Sequence, residues 1–152
     1  MNKFTEREES KSLHLPWHAW VLGGVFLLYS LAASYDYIMS LYQGEVYYRA
    51  SGMTDSQIAY FLTVPFWAVI GWTLSVWGGL LGSVALLFRH RSAVNLFLSS
   101  LIGGLIYILY VLVLSAGREA MGALWLMPLI LAAITMAMLF YCRHLKNIKL
   151  LR

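Results

Sequence analysis

Four long apolar stretches, separated by short polar segments, dominate the pattern of this chain. Residues 12–35, 56–88, 92–117 and 120–142 contain no Asp, Glu, Lys or Arg. At ~1.5 Å of rise per helical residue, each stretch is long enough to cross ~30 Å of hydrocarbon. The pattern therefore predicts an all-α fold, a membrane-spanning four-helix bundle.

Turn residues and charges set the predicted boundaries. We expect an N-terminal tail at 1–16, a membrane domain over 17–142 and a basic tail at 143–152. The four spanning helices of the domain are expected at about 17–41, 55–88, 93–115 and 121–142. Residues 42–55 are interpreted as the one sizeable loop, and the basic tail is expected to continue helically for a turn or two with its basic face on the bilayer surface. Thr54 and Gln57 form a capping box that starts the second helix at Asp55. Pro65 predicts a kink within that helix.

The first apolar stretch has a second interpretation, a signal peptide. The small residues Ala32-Ala33-Ser34 resemble a cleavage site. Against this, the apolar run from Trp17 to Tyr35 exceeds the 7–15 residues of a signal core, and the leader carries glutamates. We therefore expect a retained helix.

Basic residues are distributed unevenly between the two predicted sides of the membrane. One side carries nine of them: Lys3, Arg7, Lys11, Arg89, Arg91, Arg143, Lys146, Lys149 and Arg152. The other side carries Arg49 and Arg118. Because lysine and arginine are enriched on the cytoplasmic side, we expect both termini there.

Composition narrows the classes of partner. Hydrophobic residues make up 61% of the chain and charged residues 12%, with a net charge of +4. The basic residues flank apolar segments, where they suit anionic lipid headgroups, so the expected partner is the lipid bilayer and not nucleic acid. The histidines, His14, His18, His90 and His144, lack completing ligands at metal-site spacing, and we expect neither a metal nor a cofactor.

Small residues recur at helical spacing on the second spanning helix. The residues predicted to permit close helix packing are Gly71, Ser75, Gly78 and Gly82, with Gly103 and Gly104 on the third helix. Such residues let backbones approach within a membrane. They indicate packing inside the bundle, with a homo-oligomer interface or a contact in a larger membrane complex as the alternative.

One acidic residue falls near membrane depth. Asp36 lies ~28 Å along the first helix from Trp17, close to the boundary opposite the termini. We expect it to face the bundle and pair with Arg118, within an outer vestibule that includes Tyr37, Tyr107 and Tyr110. The alternatives are an interfacial aspartate in water or a structural ion pair with Arg118, a polar ligand pocket, and a proton-coupled step.

No catalytic arrangement can be assembled from the remaining residues. Serine, histidine and acidic residues fall at no spacing typical of an active site, so we expect no enzyme. Trp72 and Trp77 lie within the second spanning helix, where stacking with a quinone or a sugar is conceivable. Interfacial enrichment explains most of the aromatic residues without a ligand.

Several strings resemble a group of small proteobacterial inner-membrane proteins, some of which are labelled sugar transporters. The strings are Asp36-Tyr37-Ile38-Met39, Thr54…Gln57-x-Ala59-Tyr60-Phe61-x-x-x-Pro65-x-Trp67, and Trp72 followed by Val76-Trp77-Gly78-Gly79-Leu80-Leu81-Gly82-Ser83. The resemblance covers nearly all of the chain after residue 16. It implies a four-helix fold in a bacterial inner membrane and brings no catalytic residues.

Two classes of function remain open from the sequence. The favoured expectation is an accessory or structural component that acts through its helical surfaces. The alternative is a small-solute, sugar-like transporter or binding protein, which would need to oligomerise to form a pore.

Overall fold

The computed structural model describes residues 15–152 and consists of helices joined by short turns. The α-helices are α1 (Trp17–Gln43), α2 (Glu45–Ala50), α3 (Asp55–Leu62), α4 (Phe66–Leu87), α5 (Ser92–Leu109), α6 (Gly117–Met121) and α7 (Leu126–Asn147). A π-helical turn, Tyr110–Leu114, extends α5, and a 3-10 turn, Gly122–Trp125, connects α6 to α7. The segments long and apolar enough to cross a membrane are Trp17–Gln43, Phe66–Leu87, Ser92–Leu114 and Gly117–Asn147. The predicted all-α, multi-pass fold is confirmed.

The spanning helices pack in the order α1, α4, α5, α7. Helix α4 contacts both α1 and α5, and α5 also contacts α7. Helices α1 and α7 form no comparable interface with each other. The bundle therefore has a gap between its first and last spanning helices.

Small residues set the close approach of α4 to α5. A Cβ atom placed on Gly103 would lie 2.5 Å from the carbonyl oxygen of Gly71, and one on Gly78 would lie 2.8 Å from the amide nitrogen of Ser100. The Ser100 hydroxyl donates a hydrogen bond of 2.6 Å to the carbonyl oxygen of Ser75. Dispersion contacts and interhelical hydrogen bonds of this kind hold helices together where water is absent.

The two chain ends of the described region meet at one end of the bundle, which we call the terminal end. The amide of Arg152 donates to the carbonyl of Arg89 at 2.7 Å, and the amide of Arg91 donates to the carbonyl of Arg152 at 2.9 Å. Leu15 joins Leu150 and Leu151 in the same buried cluster. The prediction that the tail continues helically for a turn or two is confirmed, since α7 runs to Asn147. Beyond it, Leu150 and Leu151 are buried and the last residues fold back onto the 88–91 turn.

The opposite end, which we call the loop end, contains more helix than the sequence predicted. The expected loop at 42–55 includes α2. The capping box is confirmed: the amide of Thr54 donates to Gln57 Oε1 at 2.9 Å, and the amide of Gln57 donates to Thr54 Oγ1. The prediction of one continuous helix with a kink at Pro65 is wrong. Helix α3 ends at Leu62, and a new helix begins at Phe66, directly after Pro65, which lacks an N–H.

The last spanning helix also begins later than predicted. Its regular part starts at Leu126 and not at 121. Gly122 has a φ of 56°, which interrupts the helical path after α6. The side-chain amide of Gln57 donates to the carbonyl of Met121 at 3.2 Å, so α3 lies against this interruption and covers the loop end.

Candidate ligand site inside the bundle

A cavity of about 280 Å³ lies between the four spanning helices. All four helices line it, and residues from α3, α6 and the following 3-10 turn close it toward the loop end. The lining residues are Phe26, Tyr29, Ser30, Ala33, Asp36, Phe61, Trp72, Ser75, Val76, Gly79, Ser100, Leu101, Gly104, Tyr107, Met121, Leu124, Met127, Pro128, Leu131, Ala132 and Thr135.

The walls of this cavity are mainly apolar and aromatic, with a few hydroxyl groups. Ser30, Ser100 and Thr135 are buried and lie on three different helices. Asp36 is the only acidic or basic residue in this lining. An apolar cavity with a few convergent polar groups is the usual form of a small-molecule site.

The position of Asp36 follows from helical geometry. Tyr29, Ala33 and Asp36 are spaced by four and then three residues, so they share one face of α1 and line the cavity together. Tyr37, one residue further, lies on the face toward α4. Its hydroxyl is 2.7 Å from that of Thr73, and its ring meets the Trp72 ring edge-to-face at 5.0 Å.

The carboxylate of Asp36 accepts a hydrogen bond from the α2 helix. The Tyr47 hydroxyl donates to Asp36 Oδ1 at 2.8 Å. This hydrogen bond is the main cause that raises the pKa of Tyr47 above its ordinary value of 10.0. Helix α2, in the segment predicted as a loop, therefore places a donor at the loop end of the cavity.

The predicted contact between Asp36 and Arg118 is wrong. Within residues 15–152, the ion pairs shorter than 4.0 Å are those of Arg49 with Glu45 and with Asp55, at 2.8 and 2.9 Å. The guanidinium of Arg118 instead lies 4.9 Å from the centre of the Trp125 ring. This contact places the Arg118 guanidinium beside the 3-10 turn that contains Trp125.

The two predicted tyrosines of α5 have different surroundings. Tyr107 lines the cavity beside Trp72, with ring centres 6.2 Å apart. Tyr110 is buried in a cluster at the loop end, where it stacks with Tyr60 at 6.0 Å and meets Trp67 edge-to-face at 5.6 Å. Of the five predicted vestibule residues, Asp36 and Tyr107 line the cavity, while Tyr37, Tyr110 and Arg118 do not.

The lining residues of α7 were missed by the sequence reasoning. Pro128, Leu131, Ala132 and Thr135 follow helical spacing and form the wall opposite α1. Thr135 carries the one hydroxyl side chain between Leu126 and Phe140, and that polar position in an apolar helix was the available signal.

The gap between α1 and α7 is bridged near the terminal end. The Tyr141 hydroxyl lies 2.6 Å from Nδ1 of His18, and their rings meet edge-to-face. His14, the other histidine of the predicted pair, lies outside the described residues. Within residues 15–152, no group of His, Cys, Asp and Glu is arranged to hold a metal ion.

Comparisons with known proteins give no family for this chain. No family model matches it, and the searches of curated proteins and of solved structures found no match. The site is therefore interpreted from its own geometry.

Proposed function

We propose that this protein binds a small amphipathic molecule inside its helical bundle. The observation that carries the proposal is the cavity of about 280 Å³ lined by all four spanning helices. Natural ligand pockets fall at roughly 300–1,000 Å³ and are mostly apolar with a few placed polar groups. The volume corresponds to a compact ligand.

The ligand reaches the cavity from the bilayer in this proposal. Helices α1 and α7 provide opposite walls but do not pack tightly against each other. Tyr29 and Met127, one from each helix, line the cavity and are 41% and 53% exposed. An apolar molecule dissolved in lipid can therefore reach the site laterally, while the His18–Tyr141 contact limits the gap at the terminal end.

Buried hydroxyl groups would orient the ligand. Ser30 and Thr135 are 3% and 7% exposed and line the cavity from α1 and α7. Hydrogen bonds gain strength in surroundings of low dielectric constant, and a ligand hydroxyl or carbonyl can bond to these groups. Tyr107 and Trp72 supply aromatic surface beside them.

We also propose that the terminal end faces the cytoplasm of a bacterial cell. Arg89, Arg91 and Arg152 are brought together there by the backbone contacts of the tail. Arg49 and Arg118 are the basic residues of the loop end. The positive-inside tendency supports this orientation, and the resemblance to proteobacterial inner-membrane proteins supports the choice of membrane.

A binding experiment with a matched pair of variants tests the proposal. The protein is placed in phosphatidylcholine nanodiscs and dialysed against tert-butylbenzene or its cationic isostere, trimethylphenylammonium. Empty nanodiscs give the background. Ala132→Phe fills the cavity, whereas Ala133→Phe adds the same ring at the neighbouring exposed position of α7.

We expect at least one probe to bind at about one molecule per protein, as a cavity of about 280 Å³ predicts for a compact ligand. Ala132→Phe should abolish this binding and Ala133→Phe should preserve it. Equal binding by both variants, or no binding of either probe to the wild type, would contradict the proposal. In that case the accessory role expected from composition, with a homo-oligomer or larger membrane complex, becomes the better account.

A further inference from the structure

We infer that the ligand is a lipophilic ammonium cation, whose charged group lies at Asp36 and whose apolar part occupies the cavity. The inference rests on the proposed function and adds the chemical class of the ligand. Two observations support it: Asp36 is the one acidic or basic residue of the cavity lining, and the basic residues at the loop end, Arg49 and Arg118, contact other groups.

The carboxylate of Asp36 lacks a cationic partner within the described residues. Its one hydrogen-bond donor there is the neutral hydroxyl of Tyr47, at 2.8 Å. Of the basic residues at the loop end, Arg49 pairs with Glu45 and Asp55, and Arg118 lies over an indole ring. Among residues 15–152, no basic side chain pairs with this carboxylate at the mouth of the cavity.

Aromatic rings extend this preference into the cavity. Tyr29, Phe61, Trp72 and Tyr107 all line it, from four different helices. The faces of such rings attract ammonium groups, most strongly where water is excluded. The exposed Asp36 carboxylate lies in the lining of the same cavity as these rings, and a carboxylate combined with aromatic surface suits a quaternary or tertiary amine.

The shape of the cavity requires the cation to be amphipathic. From Phe26 to Asp36 the lining face of α1 extends for ~15 Å along the helix. Asp36 lies at one end of that distance, and the opposite part is lined by Phe26, Leu101 and Thr135. An ammonium group at the carboxylate therefore directs the apolar part of the same molecule into the bundle.

The experiment compares the same isosteric probes in variants that differ by one charge. Asp36→Asn removes the charge but keeps an oxygen that can accept the Tyr47 hydrogen bond. Glu119→Gln removes one negative charge at the same end of the bundle, from an exposed residue outside the cavity lining. Phosphatidylcholine is zwitterionic and has no net charge, so the lipid does not concentrate the cation, and empty nanodiscs account for binding to the scaffold protein.

We expect Asp36→Asn to weaken trimethylphenylammonium binding about tenfold, or ~1.4 kcal/mol, and to leave tert-butylbenzene binding unchanged. Glu119→Gln should change neither. An unchanged affinity for the cation in Asp36→Asn, or an equal loss in Glu119→Gln, overturns the inference. If the wild type binds only the neutral probe, the inference fails while the proposed function stands.

Two further outcomes separate a damaged fold from a lost charge. If Asp36→Asn loses both probes, Asp36→Glu decides, because it restores the charge at this position: retained cation binding supports the inference and lost binding overturns it. If the wild type binds neither probe, both the inference and the proposed function fail.

Discussion

A methyl group at position 103 is expected to force α4 and α5 apart. A Cβ atom there would lie 2.5 Å from the carbonyl oxygen of Gly71, 2.7 Å from the Cβ of Leu74 and 2.7 Å from the amide nitrogen of Ser75. None of these atoms can move by a change of rotamer. Because ordinary contact starts at 3.4 Å, the helices must separate locally by about 0.9 Å.

The cost of Gly103→Ala follows from this separation. A gap of ~0.5–1 Å forfeits a quarter to a half of the dispersion energy of the contacts it opens. Overpacking a well-packed interior costs ~1–3 kcal/mol, while replacing a helical glycine by alanine returns ~0.5–1 kcal/mol. We therefore expect a net loss of about 1 kcal/mol in the free energy of unfolding.

The neighbouring glycine is the control. A Cβ atom on Gly104 would meet the Ser75 hydroxyl oxygen at 3.4 Å, which is an ordinary contact. Unfolding is followed by circular dichroism as dodecyl sulfate is added to protein in dodecylmaltoside micelles. Gly103→Ala should unfold at a clearly lower dodecyl sulfate fraction than Gly104→Ala. Equal stabilities of the two variants would refute the close approach of α4 to α5.

Three further predictions concern the ends of the bundle. In an alkaline titration, the difference in phenolate absorbance between wild type and Tyr47→Phe should show Tyr47 ionising with a pKa above 10.0, and Asp36→Asn should lower that pKa. The Tyr47–Asp36 hydrogen bond contributes stability below pH 10.0, and this stability is lost as the pH rises through the raised pKa. Ionisation of Tyr47 at its ordinary pKa would contradict the contact. Leu151 is buried, so Leu151→Ala should reduce the free energy of unfolding by ~2–5 kcal/mol, whereas Ile148→Ala at a half-exposed position should have little effect. Similar losses in the two variants would argue against the folded-back tail. Reporter fusions after residues 52, 90, 118 and 152 should alternate between outside and inside, ending inside, and any other order would refute the proposed orientation.

The spanning segments could be predicted because their signals are local. A spanning helix needs only an uncharged apolar stretch of sufficient length. Each of the four uncharged stretches of the sequence overlaps one of the four candidate spanning segments of the structure. The capping box of Thr54 and Gln57 is equally local, since both hydrogen bonds join residues three apart. Such features depend little on how the helices pack.

The interruptions depend on backbone geometry that the apolar pattern does not encode. Gly122 and Pro65 lie within long uncharged windows, which favoured continuous helices. The structure breaks both helices, because Gly122 takes a left-handed conformation and Pro65 starts a new helix. Packing of α3 over the break after α6 stabilises an arrangement that neither segment specifies alone.

The partners of Asp36 depend on the rotation of α1 about its axis. Neighbouring residues on a helix point ~100° apart, and in this rotation Asp36 lines the cavity while Tyr37 lies toward α4. Contacts from α4 fix this rotation, through the hydroxyl of Thr73 and the ring of Trp72. The position of Asp36 along α1 was enough to predict an acidic residue near the membrane boundary. The residues that surround it depend on these tertiary contacts and could not be predicted from that position.

The most direct test of a ligand site inside the bundle is the position of a heavy atom. Crystals of the protein grown with 4-bromo-N,N,N-trimethylanilinium can be measured for the anomalous scattering of bromine. We expect a bromine peak between Trp72 and Ala132, with the ammonium group toward Asp36. Bromine found only in the detergent layer or on the outer surface, with the cavity empty, would contradict the account.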